Sequence, residues 1–138
     1  MDDVTPADRQ RELIARLSII EDAHERLAAV VGRAKKWPVP SEGERTDERL
    51  VRGCSSRVWL VGEMREGRCH FRIDADSPLV KGIATLMCEV FDGGTPAEIA
   101  GTEPEVFAAL GIDRMLSPTR LNGLAAVRNA IHAFAHGI

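Results

Sequence analysis

The chain has 138 residues, 44% apolar and 28% charged, with a formal net charge of −3. That composition belongs to a globular domain large enough to bury roughly two thirds of its unfolded surface. The acidic balance argues against broad nucleic-acid binding, no apolar run approaches the roughly 18 residues of a membrane span, and no signal-peptide apolar region follows the acidic start Met1-Asp2-Asp3. One cytosolic domain over residues 1–138 is therefore expected.

Residues 1–36 read as a helical hairpin. Thr5 is placed to cap a helix that opens on Pro6, and Leu13, Ile14, Leu17 and Ile20 follow at helical spacing. A second helix, from Glu21 to Lys35, carries Ala23, Leu27, Val30 and Val31 on one side. Two prolines and a run of charge from Trp37 to Arg45 make a connecting loop. From Arg49 to Asp74 the period changes to two, which predicts three short strands: Arg49–Arg52, Arg57–Met64 and, after a turn at Glu66-Gly67, Arg68–Asp74. In the third, Cys69, Phe71 and Ile73 share the core side, which makes Cys69 a packing residue.

Ser77-Pro78 then starts a helix whose apolar stripe runs from Leu79 to Phe91 and stops at Asp92-Gly93-Gly94; Cys88 inside it reads as a small hydrophobe. Thr95-Pro96-Ala97-Glu98 has capping-box spacing, and Thr102-Glu103-Pro104-Glu105 repeats the Thr-to-Glu interval. Ser117-Pro118 opens a last long helix with Leu121, Leu124, Ala125, Ile131 and Phe134 spaced for burial and Gly137 as terminator.

The cysteines number three and are widely spaced, with no Cys-x-x-Cys, so neither a disulfide framework nor a zinc knuckle is indicated. Cys54 differs from the other two. Gly53, Ser55 and Ser56 mark a tight turn between two strand-like runs, which puts the thiol at an exposed hairpin tip. Arg52 and Arg57 flank it. If turned toward the sulfur, their charge favours the nucleophilic thiolate; turned away, they are solvated charges on a sheet edge. Arg120 falls in the first turn of the last helix, where the helix dipole disfavours a cation, which points to docking or an ion pair.

Four segments taken together resemble one family. They are Gly53-Cys54-Ser55-Ser56-Arg57-Val58-Trp59-Leu60, Asp74-Ala75-Asp76-Ser77-Pro78-Leu79-Val80-Lys81-Gly82, Thr95-Pro96, and Leu116-Ser117-Pro118-Thr119-Arg120-Leu121-Asn122-Gly123-Leu124. In this order and spacing they are similar to the SufE family, sulfur acceptors that work beside cysteine desulfurases in iron–sulfur cluster assembly. The resemblance implies an α+β domain, a small three-stranded antiparallel sheet packed against helices as in IscU-like scaffold proteins. It makes Cys54 the persulfide acceptor, with Arg52, Gly53, Ser55, Arg57, Asp76 and Arg120 supporting or docking, and it places Lys81 in the motif before the middle helix. The chain departs from the family at Ser55 and Arg57, where glutamine is common.

The implied partners are a SufS-like cysteine desulfurase and a downstream SufBCD-like scaffold complex. Pyridoxal phosphate belongs to the desulfurase, so no cofactor and no metal is expected here, and monomer and weak dimer both stay open. A resting persulfide is vulnerable to reductants, so the loop is expected to tuck Cys54 against apolar residues such as Val58 and Trp59. Three alternatives are set against this reading. A metal or iron–sulfur scaffold would use Cys54, Cys69 and His70, or His132 with His136; a cysteine hydrolase would need one of the histidines as base; an adaptor would stimulate a desulfurase without carrying sulfur.

Overall fold

The computed structural model describes residues 4–137. Helix α1 (Pro6–Ser18) opens on a capping box: Asp8 N–H donates to Thr5 Oγ1 at 3.1 Å while Thr5 N–H donates back to the Asp8 carboxylate, and Leu13 and Leu17 are buried. Helix α2 (Ala23–Ala34) is capped by Asp22 and buries Val30 and Ala34. Strands β1 (Val58–Arg65) and β2 (Arg68–Ala75) form an antiparallel hairpin with Val58 opposite Ala75 and Arg65 opposite Arg68. Its turn has positive φ at both Glu66 and Gly67, the type I′ geometry whose twist matches the strands. β2 alternates as read, with Cys69, Phe71 and Ile73 buried. Its outer edge is covered rather than free: Cys69 N–H donates to Gly94 O at 2.8 Å and Gly93 N–H to Cys69 O at 2.7 Å.

The sheet has two strands, not the expected three. Asp47–Arg49 is a 3₁₀ turn, and the segment after it contributes one bridge, Leu50 opposite Trp59, with Val51 N–H donating to Val58 O at 2.8 Å. The chain before Leu50 is strapped across the sheet instead of paired along it. Arg72 holds the Glu44 carboxylate, and that bond keeps it ionised, its pKa lowered to about 2. Arg45 reaches Asp74 at 2.6 Å and lies 5.4 Å from the centre of the Trp59 ring. Trp59 is thus half-buried under a guanidinium rather than part of the core.

Helix α3 (Pro78–Phe91), capped by Ser77, is buried without interruption from Gly82 to Phe91 because α1, α2, β2 and α6 all pack on it. α4 (Pro96–Ala100) begins on the expected Thr95–Glu98 capping box. The second Thr-to-Glu interval does not cap. Thr102 Oγ donates to Glu98 O, and α5 (Val106–Ala109) is capped from outside by Gln10, whose Oε1 accepts from Glu105 N–H at 2.6 Å and Val106 N–H at 3.0 Å. A side chain 95 residues away in sequence outcompetes the local one, which explains why Gln10 is buried on α1. α6 (Pro118–His136) buries Leu124, Val127, Ile131 and Ala135; Leu121 and Ala125, expected inside, are exposed.

Candidate functional site

The segment 52–57 is a hairpin-like loop closed at its base by the Val51–Val58 bond, and Cys54 is at its tip as expected. The side chain is tucked inward, as expected of the resting loop, but against other residues than those expected. Gly53 has φ +97°, a conformation that costs an L side chain, and it reverses the chain so that Cys54 points back toward the protein. The thiol is half-buried and donates to Gly123 O of α6 at 3.4 Å.

Sγ enters a small cleft between α3 and α6 whose apolar wall is Val80, Ile83, Ala84, Leu124 and Val127. These residues, not Val58 and Trp59, form the refuge: neither strand residue lines the cleft. The space open to a water-sized sphere is about 20 Å3, and roughly 10–15 Å3 on that measure holds one water. One further atom of that size fits beside the sulfur.

Gly123 faces the loop across the cleft. A Cβ built on it stands 3.5 Å from Cys54 Sγ and 3.9 Å from Cys54 Cα, so any larger side chain there meets the loop. On the opposite side Gly53 faces α6 again, its own ideal Cβ 3.2 Å from Ala126 Cβ. The loop therefore stands between the small cleft that holds the sulfur and a wider groove of about 820 Å3 that Arg52 and Gly53 share with Asn122 and Ala126.

Burial pushes the Cys54 thiol above its ordinary pKa, and it is the one cause at work. Arg52 and Arg57 are exposed and leave the sulfur uncompensated. The docked thiol is thus neutral and a poor nucleophile at neutral pH, the reverse of the activation that flanking cations would give. Cys69 and Cys88 are pushed up by burial and by the nearby Asp92 carboxylate, with Glu89 adding to it at Cys88, which is raised strongly.

The structure brings Cys54, Ser55, Ser56 and Arg120 to one cleft mouth. Arg120 is exposed in the first turn of α6, where its backbone N–H is already satisfied by the Ser117 cap; the guanidinium has no ion pair among the described residues. Asp76 is set apart. Its N–H donates to Arg57 O at 3.1 Å, but its exposed carboxylate faces a different hollow, beside Val31 and Lys35. Lys81 pairs with Asp74 at 3.2 Å rather than with Asp76. Two parts of the site are given no site role by the sequence: the α3 wall, which reads as an apolar stripe for burial, and Gly123, which stands in the last-helix motif without a part assigned to it. The available signal for the second is a glycine in a helix interior, which loses about 1 kcal/mol against alanine unless packing requires it.

Among the described residues no three His, Cys, Asp or Glu side chains converge on a point that could hold a metal ion. His70 is paired with Asp92, and His132 packs its ring edge-on against Phe91 at 5.1 Å while His136 is exposed. No described histidine lines the Cys54 cleft, so the hydrolase alternative lacks its base. No described helix is long and apolar enough to cross a membrane.

Fold and cleft define an α+β domain that carries a loop-borne thiol in a retracted position, with neither a general base nor a ligand set beside it among the described residues. The family model described as "SufE: Fe-S metabolism associated domain" matches residues 11–135. The chain is 30% identical over 129 residues to the sulfur acceptor protein CsdE of Escherichia coli K12, covering 92% of this chain and 86% of that one. It is 28% identical to a SufE-like protein of Rhizobium meliloti, over 91% and 94% of the two chains. The solution structure of a hypothetical protein from Thermus thermophilus superposes with a TM-score of 0.78 at 20% identity, covering 97% of this chain and 96% of that one. The chain belongs to the SufE family.

Proposed function

We propose that this chain is a sulfur acceptor: it takes the outer sulfur of a persulfide from a pyridoxal-phosphate cysteine desulfurase onto Cys54, stimulates that enzyme, and passes the sulfur on for iron–sulfur cluster assembly. The observation that carries the reading is a nucleophile-capable thiol at the tip of a loop, retracted into a cleft with room for one more atom, in a chain of this family.

The step is thiol exchange. The Cys54 thiolate attacks the outer sulfur of the donor's persulfide; the new S–S bond forms on Cys54 Sγ as the donor's own S–S bond breaks, and the donor cysteine leaves as thiolate. The Cys54 proton passes to solvent or to that leaving thiolate. Sulfur moves at its existing oxidation level, so no external oxidant or reductant enters. The carbon–sulfur cleavage that supplies the persulfide is the cofactor's chemistry in the partner, and this chain contributes position and access.

Retraction and transfer call for opposite states of the loop. One weak S–H···O bond and a half-buried thiol hold it in, worth on the order of 2 kcal/mol together. A partner contact of ordinary strength outweighs that. Outside the cleft the thiol loses the burial that raised its pKa, so leaving the pocket and becoming nucleophilic are one event.

Docking is assigned to the loop and its rim: Arg52, Gly53, Ser55, Arg57 and Arg120, with Asp76 behind Arg57. Arg11, Arg16, Arg33, Arg45, Arg72 and Arg128 each hold a carboxylate. Arg52, Arg57 and Arg120 hold none among the described residues and make no side-chain hydrogen bond there. Uncommitted surface cations suit an acidic partner rim, where they act on encounter rate more than on the final affinity.

The test is transfer from a desulfurase given cysteine with radioactive sulfur. Label is expected to move to this chain and to be released by dithiothreitol. Arg52→Glu combined with Arg57→Glu is expected to slow transfer about ten-fold at low salt and less at high salt, with the unfolding temperature unchanged because neither side chain is engaged. No transfer, or label that resists reductant, contradicts the reading.

A further inference from the structure

We infer that Gly123 is the residue that makes room for the second sulfur, so that its missing side chain, in mid-helix, is retained for storing the persulfide rather than for the fold. This rests on the sulfur-acceptor reading above and goes one step past it.

The geometry of the loaded state requires such a space. A sulfur–sulfur bond is about 2.05 Å long, and the Cys54 sulfur is 3.4 Å from Gly123 O. An outer sulfur placed on that line would collide with the carbonyl oxygen, so on loading it must turn off the line and lie beside the peptide. The free volume there is the cleft of about 20 Å3, and Gly123 lines it together with Leu124 and Val127 on α6. The Cβ that any other residue would add at 123 stands 3.5 Å from Sγ. That is ordinary contact for a thiol, but it is too close for a thiol bearing another sulfur on that side.

The same glycine weakens the helix that carries it. Gly123 is the sixth residue of α6, well inside the hydrogen-bonded turns. Alanine there would improve helix propensity, and with 3.5 Å to its nearest neighbour it would strain nothing in the unloaded protein. Stability and storage therefore demand opposite residues at 123. Gly32 provides the internal control: it also lies within a helix, α2, and a Cβ added there meets nothing within 4 Å.

The experiment compares wild type, Gly123→Ala and Gly32→Ala, each loaded on Cys54 with inorganic polysulfide or by a desulfurase. Loss of the added sulfur is followed by intact mass in dilute glutathione, alongside thermal unfolding of the unloaded proteins. Both variants are expected to unfold at higher temperature, by about 3–4 °C for Gly123→Ala. Only Gly123→Ala is expected to lose sulfur faster, roughly ten-fold, the effect of overpacking a site by one methyl. A Gly123→Ala chain that holds no measurable sulfur while its unfolding temperature rises is the extreme of the same result. Equal lifetimes in wild type and Gly123→Ala overturn the inference and leave the acceptor reading standing; wild type that never gains sulfur at Cys54 overturns both.

Discussion

Cys54→Ser is expected to abolish stimulation of a desulfurase and sulfur uptake while leaving the unfolding temperature within about 2 °C of wild type. The hydroxyl has the size to re-form the bond to Gly123 O, so the loop still docks, but an alcohol cannot be the attacking group in thiol exchange. Cys88→Ser is expected to do the reverse. That thiol is fully buried in α3, and a hydroxyl there has at best the carbonyl one turn back as partner. It should cost about 1–3 kcal/mol of stability and leave sulfur uptake in place. The double dissociation is read by desulfurase turnover, alanine formed per unit time, against thermal melts. Stimulation that survives Cys54→Ser would make the chain an adaptor that carries nothing.

Phe71→Ala is expected to cost about 3–5 kcal/mol, a large part of the roughly 5–15 kcal/mol by which a domain of this kind is stable. Phe71 is 2% exposed on β2, and its ring meets Phe134 of α6 edge to face with centroids 5.6 Å apart. Phe134 in turn lies over Gly62 of β1, where an ideal Cβ would be 2.8 Å from the ring. The backbone of Phe71 ties in two further segments: Trp37 Nε1 donates to its carbonyl at 3.1 Å, and its N–H donates to Asp92 Oδ1 at 2.8 Å. Removing the ring opens the seam between sheet and α6, and α6 carries Gly123 and Arg120. Thermal unfolding is therefore expected to fall by about 10–20 °C, with sulfur storage failing at a lower temperature than unfolding itself. A fall of only a few degrees would show that α3 and α4 hold α6 without the sheet.

The helices are legible because their ends are written in local chemistry. Thr5, Ser77, Thr95 and Ser117 each accept from the backbone three residues on, and each is followed by proline. Where the cap is non-local the pattern misleads, as at Thr102, because a glutamine on α1 is invisible to a window of a few residues. The missing third strand has the same origin. Arg49 to Arg52 has strand-like residues, but ion pairs from Glu44 and Arg45 to β2 hold the preceding chain across the sheet, and one bridge is all that remains.

At the site, the residue and its tucked posture are legible, and the walls that receive it are not. The turn at Gly53 and the lone thiol are sequence facts; the inward aim of Sγ depends on α3 and α6, which lie 24 or more positions further along. The arginines illustrate the consequence. Adjacent in sequence, they suggest activation of the thiol, whereas in space they face solvent and burial alone governs its proton.

Transfer of a sulfur atom to residue 54 from another protein is checked by locating that atom. The purified chain is incubated with a cysteine desulfurase and cysteine, then read by intact-mass and peptide mass spectrometry under non-reducing conditions. The mass of one extra sulfur atom is expected on the peptide that carries Cys54 and none on those with Cys69 or Cys88. Added sulfur confined to either buried cysteine, or no added sulfur while the desulfurase turns over, would contradict it.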